Sequence, residues 1–289
     1  MRVKMARYTI GFLFLCILGS CSLTDDRQPV PAYLVIDNVD IAVTADQGAP
    51  THKITDVWVY ADNQLLGVFE LPANIPVIVN GESTFFTVFP GFRNNGERSR
   101  SFTYNMLEEQ EFTVDLAPGE SINREFTFEY RDEAIFDFVE GFEGTSHIFT
   151  DDLDQDDMTF IDITLDDPRS GLKSGIIQLT QDNPLFSATT IFTYNGNENI
   201  GRDSYLEMDY KNDIPIVLGL ILRQDGVLQS FPVIVLKPSD DWNKIYVDFT
   251  QQLTSPAISE YKIYFSTDLT SIEAQEGTIQ LDNLKFIHF

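Results

Sequence analysis

The feature that most constrains this chain is its punctuation. From Ala32 onward, apolar runs of four to eight residues alternate with Gly, Asn, Asp and Pro clusters, as in VWVYADNQLLGVFELP and DDWNKIYVDFT. No window of eleven or more residues carries a 3.6-residue apolar period. Short runs with a two-residue period bury one face each and have to pair into sheets. The expected fold class is all-β. Helix is expected only as short turns at Asn105–Gln110 and Thr270–Gln275.

Two blocks follow from the spacing. The first, residues 32–131, holds candidate strands at Tyr33–Thr44, Thr55–Ala61, Leu65–Glu70, Pro76–Val79, Ser83–Phe89, Glu111–Leu116 and Ser121–Tyr130. Asp62-Asn63 between two of them has the chemistry of a tight hairpin. Seven short strands in roughly a hundred residues suit an immunoglobulin-like β-sandwich. The stretch Val57–Phe92 also resembles small β-modules of bacterial surface proteins, in which a strand, a turn, "LLG", a Pro and a Gly-headed hairpin recur. The segment Tyr130–Val139 has no Gly or Pro run, so it is expected to join two abutting domains.

The second block, residues 136–289, has strands at Thr159–Leu165, Ser174–Leu179, Ser187–Tyr194, Tyr205–Lys211, Pro215–Leu222, Val233–Leu236, Lys244–Phe249, Glu260–Ser266 and Thr278–Phe289. The order of YLEMDYK, WNKIYVDFT, YKIYFS and GTIQLDNLKF resembles galactose-binding-like jelly rolls, the fold of many carbohydrate-binding modules. That resemblance implies a jelly-roll β-sandwich of two antiparallel sheets. It says little about ligand, because the fold hosts many functions.

The N-terminus reads as a targeting segment. Arg2, Lys4 and Arg7 precede the apolar run Ile10–Leu18, and Leu18-Gly19-Ser20-Cys21 follows. The run is too short for a membrane span. The pattern resembles a bacterial lipoprotein signal over residues 1–20, with Cys21 as the lipidated residue and 21–31 as a polar tether. Ser22 in place of Asp, and then Asp25 and Asp26, resemble the sorting and export signals of Bacteroidota surface lipoproteins. That resemblance implies a lipid-anchored outer-membrane protein, with fatty acid such as palmitate on the cysteine. Cys16 leaves with the signal and Cys21 carries lipid, so no thiol remains for disulfides, catalysis or metal.

Charge excludes another class. The chain has 45 acidic and 19 basic residues and a net charge of −26. Removing residues 1–20 takes three basic residues and no acid, which leaves −29. A chain this acidic repels phosphate backbones, so nucleic acid is not an expected partner.

Candidate sites are sparse. Arg93, Arg98 and Arg100 share the loop FRNNGERSRSF, either facing an anionic partner or paired with nearby acids. Tyr194, Asn195, Asn197 and Asn199 in YNGNEN combine a ring with planar amides, as a sugar site at a sandwich edge needs. Trp242 and the strand tyrosines are expected to pack in the fold. Asp152, Asp154 and Asp156 have the 1-3-5 spacing of a calcium loop, but Asp157 and Ile163 stand where an EF-hand needs Gly and Glu. A looser structural calcium site is one reading and a solvated acidic loop the other. The jelly-roll resemblance places Glu143 and Asp282 near such a calcium. No nucleophile elbow, zinc-protease helix, phosphate loop or dinucleotide fingerprint occurs. The expected role is therefore non-catalytic, a surface module that binds or adheres to a glycan or protein partner. The alternative is a structural or accessory subunit of an envelope secretion, uptake or motility complex.

Overall fold

The computed structural model describes residues 29–79, 81 and 83–289, so Cys21, Ser22, Asp25 and Asp26 lie outside the described residues. The described chain is all-β. Its only helical turns are 3-10 turns at Ala45–Gln47 and Leu269–Ser271. The second overlaps the turn expected at Thr270–Gln275, while Asn105–Gln110 is not helical.

The N-terminal half contributes β1 (Ala32–Ile36), β2 (Val39–Ala42), β3 (Asp56–Ala61), β4 (Gln64–Glu70), β5 (Ala73–Val77), β6 (Thr84–Phe92), β7 (Phe102–Thr103), β8 (Gln110–Val114), β9 (Ser121–Asn123) and β10 (Phe126–Glu129). One sheet has the order β4-β3-β6 with β7 and β8 both beside β6, a second is β5-β1-β9, and β2 pairs with β10. Alternation decides the inward face. Val57, Val59 and Ala61 of β3 and Phe86 and Val88 of β6 enter one core with Leu34, Ile36, Ile75 and Phe128. Asp62 and Asn63 both take positive φ, 48° and 65°, as the two-residue turn from β3 to β4 requires. The expected strand Tyr33–Thr44 divides into β1 and β2, and these pair in parallel with β9 and β10 respectively.

The C-terminal half contributes β11 (Ile135–Glu140), β12 (Asp151–Asp152), β13 (Asp162–Thr164), β14 (Ser174–Thr180), β15 (Leu185–Thr189), β16 (Tyr194–Asn195), β17 (Ser204–Asn212), β18 (Ile216–Gln224), β19 (Val227–Leu236), β20 (Ser239–Asp248), β21 (Ile258–Asp268) and β22 (Glu276–His288). Two antiparallel sheets form a β-sandwich. One has the order β13-β14-β22-β17-β20 with β11 also beside β22, the other β12-β15-β21-β18-β19 with β16 also beside β21. Leu206, Met208, Ile279, Leu281 and Phe286 from the first sheet meet Leu218, Leu220, Tyr261, Ile263 and Phe265 from the second. A fully buried side chain such as Phe286 contributes roughly 1.5–3 kcal/mol.

Two assignments change. Of the segment Tyr130–Val139, expected to join two abutting domains, residues 135–139 lie in β11, which pairs with the last strand from Ile135↔His288 to Glu140↔Leu284. The strand expected at Val233–Leu236 starts at Val227, because Asp225-Gly226 (φ 50° and 79°) makes a two-residue hairpin turn.

The two halves share buried surface. Tyr205 of β17, Tyr246 of β20 and Ile287 of β22 belong to the N-terminal core. Phe92 and Tyr104 pack against both tyrosines at ring-centroid distances of 4.9–5.7 Å, and against each other at 4.8 Å. The outward face of the first sheet is therefore covered, and that of the second is left open.

Candidate functional site

The open face is built in rows fixed by strand register. Across β15, β21, β18 and β19 the outward residues read Ser187, Ser266, Val217, Val235, then Thr189, Tyr264, Gly219, Pro232. Below these lie Lys262, Ile221, Ser230 and then Glu260, Arg223, Leu228. Gly219 is required where it stands. A Cβ there would lie 2.5 Å from both Tyr264 Cε1 and the Phe231 carbonyl oxygen, so the Tyr264 ring, itself 4% exposed, occupies the space beside the strand.

Hollows lie on either side of the Tyr264 row. The larger, 420 Å³, is lined by Val217, Val235, Pro215, Leu185 and Ile272, with Asp154, Asp268, Ser187 and Ser266 supplying polar groups. The smaller, 190 Å³, is lined by Ile221, Leu228 and Leu153 with Lys262, Arg223 and Glu260. In the latter, Lys262 pairs with Asp151 and Arg223 with Glu260. Apolar floors with a few convergent polar groups are the usual composition of small-ligand sites.

Asp154 of the DDLDQDD loop walls the larger hollow, and the loop's carboxylates cap its own backbone. Asp152 Oδ1 accepts the N–H groups of Asp154 and Gln155, Asp154 Oδ1 accepts that of Asp156, and Asp156 Oδ1 accepts that of Met158. The 1-3-5 spacing is thus a series of Asx turns. Asp154 Oδ2 also accepts the Ser187 N–H, which pins the loop beside β15. Burial, and secondarily the charge of Asp152, raises the Asp154 carboxyl above its usual range.

The second acidic pair is likewise taken up by backbone. Glu143 Oε1 accepts the N–H groups of Leu172 and Lys173, and Asp282 accepts those of Ser170 and Asn283. Both carboxylates hold the 169–173 loop. Among the described residues, no group of three or more His, Cys, Asp or Glu side chains is placed to hold a metal ion. Asp152, Asp154 and Asp156 lie on one loop and Glu143 and Asp282 hold another, each engaged with backbone N–H groups.

The YNGNEN residues are divided between core and surface. The Tyr194 ring packs at 5.4 Å from Tyr261 and 6.0 Å from Phe286, and its hydroxyl is buried. Asn199 is 2% exposed and bonds Ser204 and Tyr261. Asn195 accepts the Asn197 N–H inside its own turn. Tyr194 therefore packs against the sandwich core, while Phe192, Asn195 and Asn197 remain exposed.

The arginine loop is split. Arg93 bridges buried Asp56 at 3.2 Å and Glu70 at 3.1 Å. Arg100 lies over the Phe102 ring at 4.7 Å. Arg98 makes no ion pair among the described residues and faces a cleft between the two halves. The base of the loop is docked on β20, while residues 95–100 are exposed. Asn95 N–H donates to the Tyr246 carbonyl, and Asn94 and Asn95 bond Asp248.

Sequence reasoning missed the buried polar cluster between the halves. Glu207 Oε1 accepts the hydroxyls of Tyr104 and Tyr130 at 2.7 and 2.8 Å, and Lys244 lies 3.1 Å from Oε2. Burial works against this carboxylate, but Lys244, Lys285 and the two tyrosines outweigh it and hold its pKa below the usual value. Asp209 accepts from Thr51 and Asn283. Burial raises Asp282 to about 7 and lowers Lys285 to about 8. The one available signal was that YLEMDYK alternates Leu206, Met208 and Tyr210 with Tyr205, Glu207 and Asp209, both sets inside long strands. Among the described residues no histidine ring bonds a serine or threonine hydroxyl. His147 meets the Ile161 carbonyl and the Phe149 N–H, and His288 meets Asp137 and the Phe289 carbonyl.

No family model and no curated protein matches the chain. Among solved structures it is similar to the C-terminal family 22 carbohydrate-binding module of Clostridium thermocellum Xyn10B, at 10% identity and a TM-score of 0.39, over 54% of this chain and 96% of that one. The CBM22-1 xylan-binding domain of Paenibacillus barcinonensis Xyn10C gives 16%, 0.38, 54% and 95%. A family 29 carbohydrate-binding module gives 17%, 0.31, 54% and 89%. At these scores the description of this chain rests on its own strands and sites.

Proposed function

We propose that this protein is a non-catalytic binding module that takes an uncharged glycan on the open face of the β12–β19 sheet. The observation that carries the reading is the 420 Å³ hollow, with Val217, Val235 and Ile272 as apolar floor and Asp154, Asp268, Ser187 and Ser266 at its sides. Sugar rings offer apolar C–H faces to such a floor and hydroxyls to carboxylates and hydroxyls. The protein is delivered by its N-terminal signal and held in the outer membrane, facing outward, by lipid on Cys21. Ser22, Asp25 and Asp26 support that sorting. The N-terminal half is an immunoglobulin-like spacer, in keeping with the parallel closures β1–β9 and β2–β10 within a shared core.

A glycan array probed with the full chain tests this. Neutral oligosaccharides are expected to bind, and Val217→Arg, which projects a long charged side chain into the hollow, is expected to weaken them at least tenfold without lowering the melting temperature. Equal binding by wild type and Val217→Arg would remove the reading.

A second reading is favoured by β19. It is an edge strand whose Val227, Leu228, Phe231 and Val235 are 46–58% exposed. Exposed apolar edges recruit strands of other proteins, as an accessory subunit of an envelope complex would. Recovery of a defined partner that is lost with Phe231→Lys, with glycan binding absent, would favour it.

A further inference from the structure

We infer that the cleft between the 92–102 loop, the 51–55 segment and β20 binds the negative groups of an acidic glycan. The ligand class rests on the glycan reading above, whereas the site is a different one.

Two adjoining hollows of 550 Å³ share Lys53, Gly96, Arg98 and Lys244, so they are parts of one cleft. Lys53, Arg93, Arg98, Lys237 and Lys244 line it, five of the protein's 19 basic residues, and Glu70 is the only carboxylate among the lining residues. Two of the five are already neutralised, Arg93 by Asp56 and Glu70, and Lys244 by Glu207. Lys53, Arg98 and Lys237 make no ion pair among the described residues. Elsewhere the half-buried Lys211 and Lys262 pair with Asp167 and Asp151, whereas Arg100, Arg124, Lys173 and Arg202 also make no ion pair among the described residues. What distinguishes the cleft is that three such cations share one concavity in a chain with 45 acidic residues.

The cations are also held in place. Lys53 donates its backbone N–H to the buried Tyr246 hydroxyl at 2.9 Å and its ammonium to Asn243 Oδ1. Arg98 sits on the loop that Asn94 and Asn95 fasten to β20. Burial, and then the charge of Arg98, lowers the Lys53 pKa, so the two cations repel across the cleft. An anion between them relieves that repulsion and gains charge-assisted hydrogen bonds from both. Asn95, Ser239 and Asn243 add uncharged groups suited to sugar hydroxyls. The net charge of −26 repels such ligands at long range. At 0.1 M salt, charges beyond about 10 Å are screened, and the local field of the cleft decides.

The test is calorimetric titration of the full chain in detergent at 0.1 M salt. The probes are a heparin tetrasaccharide bearing sulfates, a trigalacturonate bearing carboxylates, and neutral cellotetraose as control. One or both acidic probes are expected to bind, which separates sulfate from carboxylate as the preferred group. Lys53→Gln and Arg98→Gln should each weaken that binding by roughly tenfold, the worth of one charge-assisted contact. Both side chains are exposed, so melting temperatures should hold. Val217→Arg should leave acidic binding intact, so failure of the hollow and failure of the cleft show in different variants. Absence of binding by both acidic probes, or binding unchanged by Lys53→Gln, Arg98→Gln and Lys237→Gln together, would overturn the inference.

Discussion

The two sheets of the C-terminal sandwich differ in what lies against their outward faces. On β17, β20 and β22 the outward residues Tyr205, Glu207, Asp209, Lys244, Tyr246 and Lys285 are all buried, because the N-terminal half covers them. On β18 and β21 the equivalent positions hold Ile221, Arg223, Glu260, Lys262 and Ser266, which remain partly open. Both faces alternate charged and apolar residues. On the covered face the charges form a closed network that fixes how the halves meet. On the open face they edge hollows that a ligand can enter. Similar strand chemistry thus becomes architecture in one place and an open surface in the other, according to what packs on it.

The largest effect that would break this comparison is expected from Lys244→Ala. It leaves Glu207 buried beside two tyrosines without its closest cation, and removing one partner of a buried pair costs about 3–5 kcal/mol. Thermal or denaturant unfolding should show the loss. A change no larger than that of a surface mutation would mean the covered network does not hold the halves together. On the open face, Val217→Arg should reverse the pattern, abolishing most neutral-glycan binding at unchanged stability.

The next effect is a dependence on pH. Asp282 is raised to about 7 in the fold by burial, against a carboxyl near 3.8 when unfolded. The folded state therefore holds a proton that the unfolded chain releases. This site's stabilisation is complete below about pH 4 and is lost as pH rises through 7. Asp282→Asn lacks that increment, so the wild-type advantage in melting temperature should be greater at pH 4 than at pH 8. An equal difference at both pH values would show that Asp282 is not burdened by its burial.

The smallest effect is expected at an open-face pair. Glu260→Ala breaks an ion pair with Arg223 whose side chains are 39% and 41% exposed. Its cost should be below about 1 kcal/mol. A loss comparable with that of Lys244→Ala would erase the distinction between the two faces.

Much of the fold was legible because strand alternation and turn chemistry are local. The Asp62-Asn63 turn and the strands around YLEMDYK and GTIQLDNLKF follow from neighbouring residues. The Asp225-Gly226 turn carried the same kind of signal and marks the start of β19. The sites were less legible because they depend on distant neighbours. Nothing near Glu207 says that Tyr104 and Tyr130 will cover it. The spacing of Asp152, Asp154 and Asp156 fits a metal loop and a run of Asx turns equally well, and the backbone N–H groups that form the turns are set by the fold of the loop. Tyr194 reads as a loop aromatic until Tyr261 and Phe286 are found against it. The arginine loop was recognisable as unusual, but its division into paired Arg93, stacked Arg100 and unpaired Arg98 depends on Asp56, Phe102 and the docking of Asn94 and Asn95 on β20.

The junction from β10 to β11 also governs how the molecule carries load. Only residues 130–134 separate the two strands, and they have little slack. Arg131 is tied to Glu109 and to the Asn105 carbonyl, its N–H reaches Met106, and the Tyr130 and Phe136 rings meet at 5.0 Å. A pull applied to the N-terminal half has no loop to unwind at this point. It passes into β11 and then sideways through the ladder to β22, inside the six-stranded sheet. The tension is thereby shared among many hydrogen bonds at once, so the two halves take up load together rather than parting at the junction.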